Sequence, residues 1–188
     1  MCDKIDEKCR CRWCNMNNPE YVKYHDFEWG IPEYRDSALF ELLILESFQA
    51  GLSWECVLNK REYFRSAFDN FQLEKVCDYK EDKIEELLNN KNIIRNRRKI
   101  WASVNNANIF RLIQKEFGSF SDYIWSFTDR KIIYENDKTS SQLSDQISSD
   151  LKRRGMKFVG TTIIYAYLQA IGVIYSHDEG CFLWRKSE

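Results

Sequence analysis

The most apolar stretch of the chain, Leu39-Phe-Glu-Leu-Leu-Ile-Leu-Glu46, carries Glu46 directly before the aromatic and glycine run Phe48-Gln-Ala-Gly-Leu-Ser-Trp54. On a helix, Leu42, Leu43 and Leu45 surround that glutamate, so its charged form is partly desolvated. A carboxylate so placed meets a cation, a hydrogen-bond donor or a substrate. The alternative is a glutamate on the wet edge of an amphipathic helix.

At 188 residues, 44% hydrophobic and 15% aromatic, the chain can close one substantial core, and nothing demands a second domain. We therefore expect a single domain over residues 1–188. Seven glycines and two prolines leave few breakers for a many-stranded fold. Apolar residues recur at helical spacing, and the class expected is all-α. Without a run of 18 apolar residues or a signal-like N-terminus, the expectation is no membrane partner and a cytoplasmic location.

Caps and stops divide the chain. Asp36 or Ser37 can cap a helix running to about Ala50, where Gly51 stops it. Ser53 can cap a second, with Trp54, Val57, Leu58 and Phe64 on its buried side. Further helices are expected over about 82–89, from about Asn96 to Gly118, from about Ser144 to Gly155, and from Thr161 or Thr162 to Gly172. The polar segment between Thr128 and Ser144 reads as an exposed, mobile loop. The tail from Tyr175 is too polar and short to fold alone, so something must tie it down.

The net charge of -1 provides no global field toward nucleic acid, so local patches must carry any phosphate binding. Lys91, Arg95, Arg97, Arg98 and Lys99 form one cluster; Lys152, Arg153, Arg154 and Lys157 form another. The second abuts Gly155-Met-Lys-Phe-Val-Gly160, a turn between two helices whose glycines let backbone N–H groups approach an anion. Such a turn can hold a phosphodiester without reading sequence. A plain helix connection with a solvated basic face is the other reading.

Seven cysteines, odd in number and unevenly placed, fit reduced thiols or a metal better than a disulfide framework. The chain's two histidines, His25 and His177, each have a cysteine at some remove: Cys11 precedes the first and Cys181 follows the second. Two sulfurs and two imidazoles make a closed tetrahedral zinc site, which would pin the tail to the N-terminal segment. Cys9 and Cys14 rival Cys11, and unrelated surface histidines with free thiols remain the plainer reading. Aromatic residues gather in the N-terminal third, among them Trp13, Tyr21, Tyr24, Trp29 and Trp54, several in polar sequence that reads as loop. With Glu46 they suit a flat, positively charged ligand.

Five separated blocks, Cys11-Arg-Trp13, Tyr21-x-x-Tyr-His-Asp-x-Glu-Trp-Gly30-x-Pro, Leu45-Glu-x-x-Gln-Ala-Gly-Leu-Ser-Trp54, Ile93-Ile-Arg-x-Arg-x-Lys-Ile100 and Lys157-Phe-Val-Gly-Thr-Thr162, together resemble the 3-methyladenine DNA glycosylase I family. The resemblance runs from Cys11 to Cys181. It implies a helix-hairpin-helix glycosylase fold that flips an alkylated adenine from double-stranded DNA and hydrolyses its N-glycosidic bond, acting as a monomer. It also implies one structural zinc on Cys11, His25, His177 and Cys181, joining the N-terminal segment 1–35 to the tail 173–188. By the same alignment Glu46 is the catalytic, base-contacting carboxylate, with Tyr24, Trp54, Trp13 and Tyr21 around the base. Leu52, at the tip of the Gly51 turn, is the candidate wedge for the vacated stack, with a helix-turn core contact as its plainer reading, and Lys157, Val159, Gly160 and Thr161 are expected to contact DNA.

Arg12, Ser47, Phe48 and Asn92 depart from the family pattern. Phe48 is expected to narrow or reshape the pocket, and Asn92 to take a left-handed turn position. Asp178, downstream of the hairpin, has the place of a catalytic aspartate in other hairpin glycosylases but lies between two proposed zinc ligands, where a spectator role is expected. No closely spaced cysteine quartet follows the hairpin, which disfavours an iron–sulfur enzyme. The rival reading from another class is a zinc-stapled helical module that binds DNA without catalysis.

Overall fold

The helix expected around Leu39 forms as α2 (Asp36–Gln49) and is buried along nearly its whole length: Leu39 and Phe40, then every residue from Leu42 to Phe48, lie out of solvent. A helix apolar on all sides has to sit at the centre, and the others pack around it. The computed structural model describes residues 8–185. Around α2 lie α1 (Pro19–Phe27), α3 (Trp54–Leu58), α4 (Arg61–Ala67), α5 (Leu73–Cys77), α6 (Glu81–Asn89), the 21-residue α7 (Arg97–Phe117), α8 (Phe120–Ser126), α9 (Gln142–Arg153) and α10 (Thr161–Ala170). Among the described residues no helix is long and apolar enough to cross a membrane.

Several expectations meet the structure with changes. The helix foreseen from Ser53 through Phe64 is two helices, broken at Asn59 and Lys60; Ser53 caps the first by accepting from the Cys56 amide at 3.2 Å. Asp36 does not cap its own helix. Its carboxylate instead accepts from the amides of Phe120 (2.8 Å) and Ser121 (2.9 Å) and from Gln114 (2.6 Å), so it caps α8 and ties α2 to α7. Asn92 is not among the residues of positive φ.

The fold is not purely helical either. The polar 128–144 segment contains β1 (Ile133–Tyr134), which pairs in parallel with β2 (Ile174–Tyr175) in the register Ile133 to Ile174 and Tyr134 to Tyr175. This short pairing is one tie on the tail that the sequence required. A second runs from the Phe182 amide to the Cys9 carbonyl at 2.8 Å.

The end of α10 is held against the chain after α1. The Gly30 amide donates to the Gln169 carbonyl and the Glu33 amide to the Ile171 carbonyl, each at 3.0 Å. Gly172, at φ +71°, sits so close to this segment that a Cβ would lie 2.4 Å from the backbone of Ile31 and of Pro32. Backbone cannot give way as a flexible side chain can, and the positive φ adds strain. Gly172→Ala should therefore lose about 2–4 kcal/mol in urea unfolding, whereas Gly180→Ala, whose Cβ meets nothing within 4 Å, should lose less than about 1 kcal/mol.

Candidate active site and metal centre

Asn18 caps α1 by accepting from the amides of Glu20 (3.2 Å) and Tyr21 (3.4 Å), and Pro19 occupies the first turn. Helical spacing then directs Tyr21 and Tyr24 toward one cavity while His25 joins a different cluster behind it. These residues read as loop in the sequence; they are helical because the cap and proline start a turn that packing completes.

The cavity has a volume of about 560 Å³ and is lined by Trp13, Tyr21, Tyr24, Glu46 and Trp54, the five residues proposed for base binding. Trp13 meets Tyr21 at 5.4 Å and Trp29 at 4.7 Å between ring centroids, and Tyr24 meets Trp54 at 5.3 Å. Glu46 is 2% exposed, which discards the wet-edge alternative. Burial pushes its carboxyl up to about 8. Burial, with the Glu46 charge second, also pushes the Tyr24 hydroxyl well up.

Among the described residues, three buried polar atoms lack a hydrogen-bond partner, Glu46 Oε2, Gln49 Oε1 and Trp54 Nε1, and all three residues line this cavity. A buried polar atom left unmatched is destabilising by about 1–3 kcal/mol. Two acceptors and one donor around one hollow describe a site shaped for a polar ligand. Gln49 was missed in the sequence, although it lies three residues beyond Glu46 and so on the same helix face. Trp29, one of the aromatic residues singled out in the sequence, also lines the cavity, as do Gln169 and Ser176, which carried no sequence signal.

The departures from the family pattern act elsewhere than expected. Phe48 does not enter the cavity; it is fully buried against Phe64 at 4.7 Å and Phe68 at 6.1 Å. The Ser47 hydroxyl donates to Leu43 O at 2.9 Å and Phe158 O at 3.3 Å, joining α2 to the 155–160 turn. Arg12 stands at the cavity mouth, its side chain exposed, with Nε 3.2 Å from Asp178 and Nη2 3.2 Å from Asp137. Its amide donates to the same Asp178 carboxylate at 2.7 Å, which occupies that acid structurally.

Gly51, at φ +81°, turns the chain out of α2, and Leu52 on its tip is 43% exposed. The end of α2 is held by Lys99, whose Nζ donates to Phe48 O (2.8 Å) and Ala50 O (2.6 Å). In the 155–160 turn, Asn106 grips the backbone of Lys157 twice, accepting from its amide at 2.9 Å and donating to its carbonyl at 2.8 Å. Val159 is buried whole, and Ser148 donates to its carbonyl at 2.7 Å. The Thr161 hydroxyl lies 2.8 Å from that of Ser144, and Gly160 caps α10 without a side chain. Many cations of the two basic runs are engaged: Lys99 in the bonds above, Arg97 with Glu81 and Glu85, Arg153 with Asp150, Arg154 with Glu116 and Asp150.

Behind the cavity, Cys11, His25, His177 and Cys181 are all buried, with their donor atoms within 4.8 Å of one another. Cys11 Sγ lies 3.3 Å from His177 Nδ1, and Cys181 Sγ lies 3.5 Å from His25 Nε2 and 3.7 Å from His177 Nδ1. A tetrahedral ion about 2.3 Å from sulfur and about 2.0–2.1 Å from nitrogen spaces its ligands roughly 3.3–3.8 Å apart, so the group could hold a metal ion. The surroundings agree. His25 Nδ1 lies 2.8 Å from Asp26, itself paired to Arg10 at 2.7 Å, and the Asp178 and Leu183 amides point at the two sulfurs at 3.3 and 3.5 Å. Cys9 is exposed and Cys14 lies near the Tyr21 carbonyl, so neither belongs to the group. Burial lowers both imidazoles, His177 to about 4, leaving neutral rings suited to ligation.

The Glu46 environment has a measurable thermodynamic signature. An acid raised from about 4.5 unfolded to about 8 folded binds more protons in the native state between those values, so stability falls as pH rises through this window. The loss is on the order of 4 kcal/mol by pH 8. Glu46→Gln should remove that dependence: its melting temperature, relative to the parent, should climb from pH 5 to pH 8.5. A constant difference across the range would place the carboxyl in water.

A model of the methyladenine glycosylase family matches residues 13–184. The chain is 42% identical to DNA-3-methyladenine glycosylase 1 of Escherichia coli, over 92% of this chain and 95% of that one, and 40% identical to DNA-3-methyladenine glycosylase of Haemophilus influenzae, over 92% and 96%. A solved structure of a tyrosine-to-phenylalanine variant of 3-methyladenine DNA glycosylase I in complex with 3-methyladenine superposes with a TM-score of 0.90 at 35% identity, covering 95% of this chain and 99% of that chain. The chain belongs to the methyladenine glycosylase family.

Proposed function

We infer that the protein is a base-excision repair glycosylase that removes 3-methyladenine from alkylated double-stranded DNA and leaves an abasic site. It works as a single monomeric domain with a helix-hairpin-helix element formed by α9, residues 155–160 and α10. The observation that carries this reading is the unpartnered buried carboxyl of Glu46 in a cavity walled by Trp13, Tyr21, Tyr24 and Trp54. A module that only bound DNA would have no use for it.

Methylation at N3 puts a positive charge on adenine, so the base leaves without being protonated. Recognition and catalysis then share one source. With Glu46 raised to about 8, ionising it at neutral pH costs roughly 1.4 kcal/mol. Charge-assisted hydrogen bonds contribute about 1.5–3 kcal/mol and a desolvated cation over an aromatic face about 2 kcal/mol. The cationic base therefore draws Glu46 into its charged form, while neutral adenine does not and is released. The bond to C1′ breaks with its electron pair passing to the methylated purine, cancelling the charge. Water adds its oxygen to C1′ and gives up a proton, for which the ionised Glu46 is an acceptor within the cavity.

Flipping costs a few kcal/mol of stacking and pairing, less at a damaged pair. Leu52, exposed on the Gly51 turn and braced through Lys99, fills the gap as an apolar wedge. The amides of Gly160 and Thr161 and the Lys157 side chain hold the phosphodiester, with buried Val159 anchoring the turn beneath them. The four-ligand group fits Zn²⁺, whose preference for two thiolates and two imidazoles matches the donor set. Bound there, the ion joins the N-terminal segment to the tail and supplies structure rather than chemistry.

Chromatography of bases released from methylated DNA tests the activity. Free 3-methyladenine should appear with the parent protein, and Glu46→Gln should release it at least about 100-fold more slowly while weakening binding to undamaged duplex less than about threefold. Equal losses in both would remove Glu46 from the pocket. For the metal, purified protein should contain zinc in equal proportion to chain, and Cys181→Ser should lower both zinc content and melting temperature. A metal-free sample melting at the parent temperature would overturn the assignment.

A further inference from the structure

A second concavity, separate in its lining from the base cavity, lies beside the start of α7. It is lined by Arg97, Arg98, Trp101 and Asn105 from the first turns of α7 and by Lys157 and Phe158 from the hairpin turn, and its volume is about 720 Å³. Lys99 links the two sites: it donates to Phe48 O and Ala50 O at the root of the wedge, and its Nζ lies 5.9 Å from the centroid of Phe158 in this groove. Whatever the wedge separates, the groove is adjacent to it.

The groove's chemistry is that of a single-strand nucleic-acid platform. Trp101 is 41% exposed, large for an indole, on a helix whose other face is core. Arg98 and Lys157 have no carboxylate partner among the described residues, in contrast to Arg97, which is paired with Glu81 and Glu85. A flat ring flanked by uncompensated cations stacks a base and holds its phosphate, and it does so for any base because every base presents a π-face. An acidic peptide would satisfy the cations but leave the indole without a flat partner.

Given the glycosylase reading, on which this inference rests, we propose that the groove takes the nucleotide left unpaired on the strand opposite the lesion. When the methylated base enters the cavity and Leu52 fills its place, the former partner base loses both pairing and part of its stacking. The groove shares no lining residue with the cavity, and it meets the root of the wedge turn through Lys99. Stacking on Trp101 recovers part of what extrusion costs, with Arg98 and Lys157 on the adjacent phosphates. Flipping is thus assisted from both strands, and the opposite base is held without being identified.

Fluorescence anisotropy with labelled duplexes tests this. One duplex carries a tetrahydrofuran abasic analogue opposite thymine; the other carries the analogue on both strands, so that no opposite base exists. Trp101→Ala should weaken binding to the first about tenfold and to the second less than twofold, and Trp101→Phe should restore most of the difference. Arg98→Gln should lower the slope of log affinity against log salt by about one on both duplexes. Binding of free 3-methyladenine, a readout of the cavity alone, should be unchanged in every groove variant. Equal affinity of Trp101→Ala and parent for the first duplex, or equal weakening on both, overturns the groove assignment while leaving the glycosylase reading intact. Failure of the parent protein to bind free 3-methyladenine would instead remove the glycosylase reading itself.

Discussion

Burial of one carboxyl group at the end of an apolar helix is the constraint around which the molecule is arranged. Glu46 sits in α2, which is enclosed on nearly all sides, and neither solvent nor a salt bridge satisfies its outer oxygen. Left neutral, it is a mild destabiliser; left charged, a severe one. The fold retains it together with two further unmatched polar atoms on Gln49 and Trp54, and the only economy that justifies such a triad is a ligand that completes it. Aromatic rings and the carboxyl then prefer a purine that carries a positive charge over one that does not.

Polar side chains of α7 provide the mechanical frame for that site. Lys99 reaches the end of α2, while Asn105 and Asn106 fasten the hairpin turn at Gly155 and Lys157. The Gly51–Leu52 turn and the 155–160 turn, separated by more than a hundred residues, thereby share one rigid support. This explains why a lysine is buried in an amphipathic helix: its ammonium group caps carbonyls that α2 cannot satisfy itself. A site on DNA needs its wedge and its phosphate contacts in fixed relation, and helix-borne side chains hold that relation better than loops do.

Much of this was legible in the residues, for stated reasons. Glu46 stood out because a charge among leucines is rare, and α2, α6, α7, α9 and α10 were readable because caps and glycine stops bracket clear periodic stripes. The Cys11, His25, His177 and Cys181 cluster was separable from Cys9 and Cys14 only through the family resemblance, since the two pairs lie far apart in sequence. Helix α1 was hidden: its tyrosines face a cavity rather than a core, so its pattern reads as polar loop. The β1–β2 pairing was invisible because two residues per strand leave no periodicity. Asp36 looked like a cap for its own helix; that it serves another depends on a contact 84 residues away. Phe48, two residues beyond Glu46, points to the opposite side of the helix, as residues two apart on an α-helix do.

The wall of the cavity is built from both ends of the chain. Trp13 leans on His25 at 5.2 Å and Trp29 on His177 at 4.8 Å, while Arg12 and Cys11 are bound to Asp178. Residues 13 to 54 are synthesised first, and the imidazole that backs Trp29 and the sulfur of Cys181 follow only more than a hundred residues later. A nascent chain has its acid and its rings long before it has the support that shapes them into a receptor. The cavity wall therefore becomes complete only once both distant segments are made, and neither segment shapes it alone.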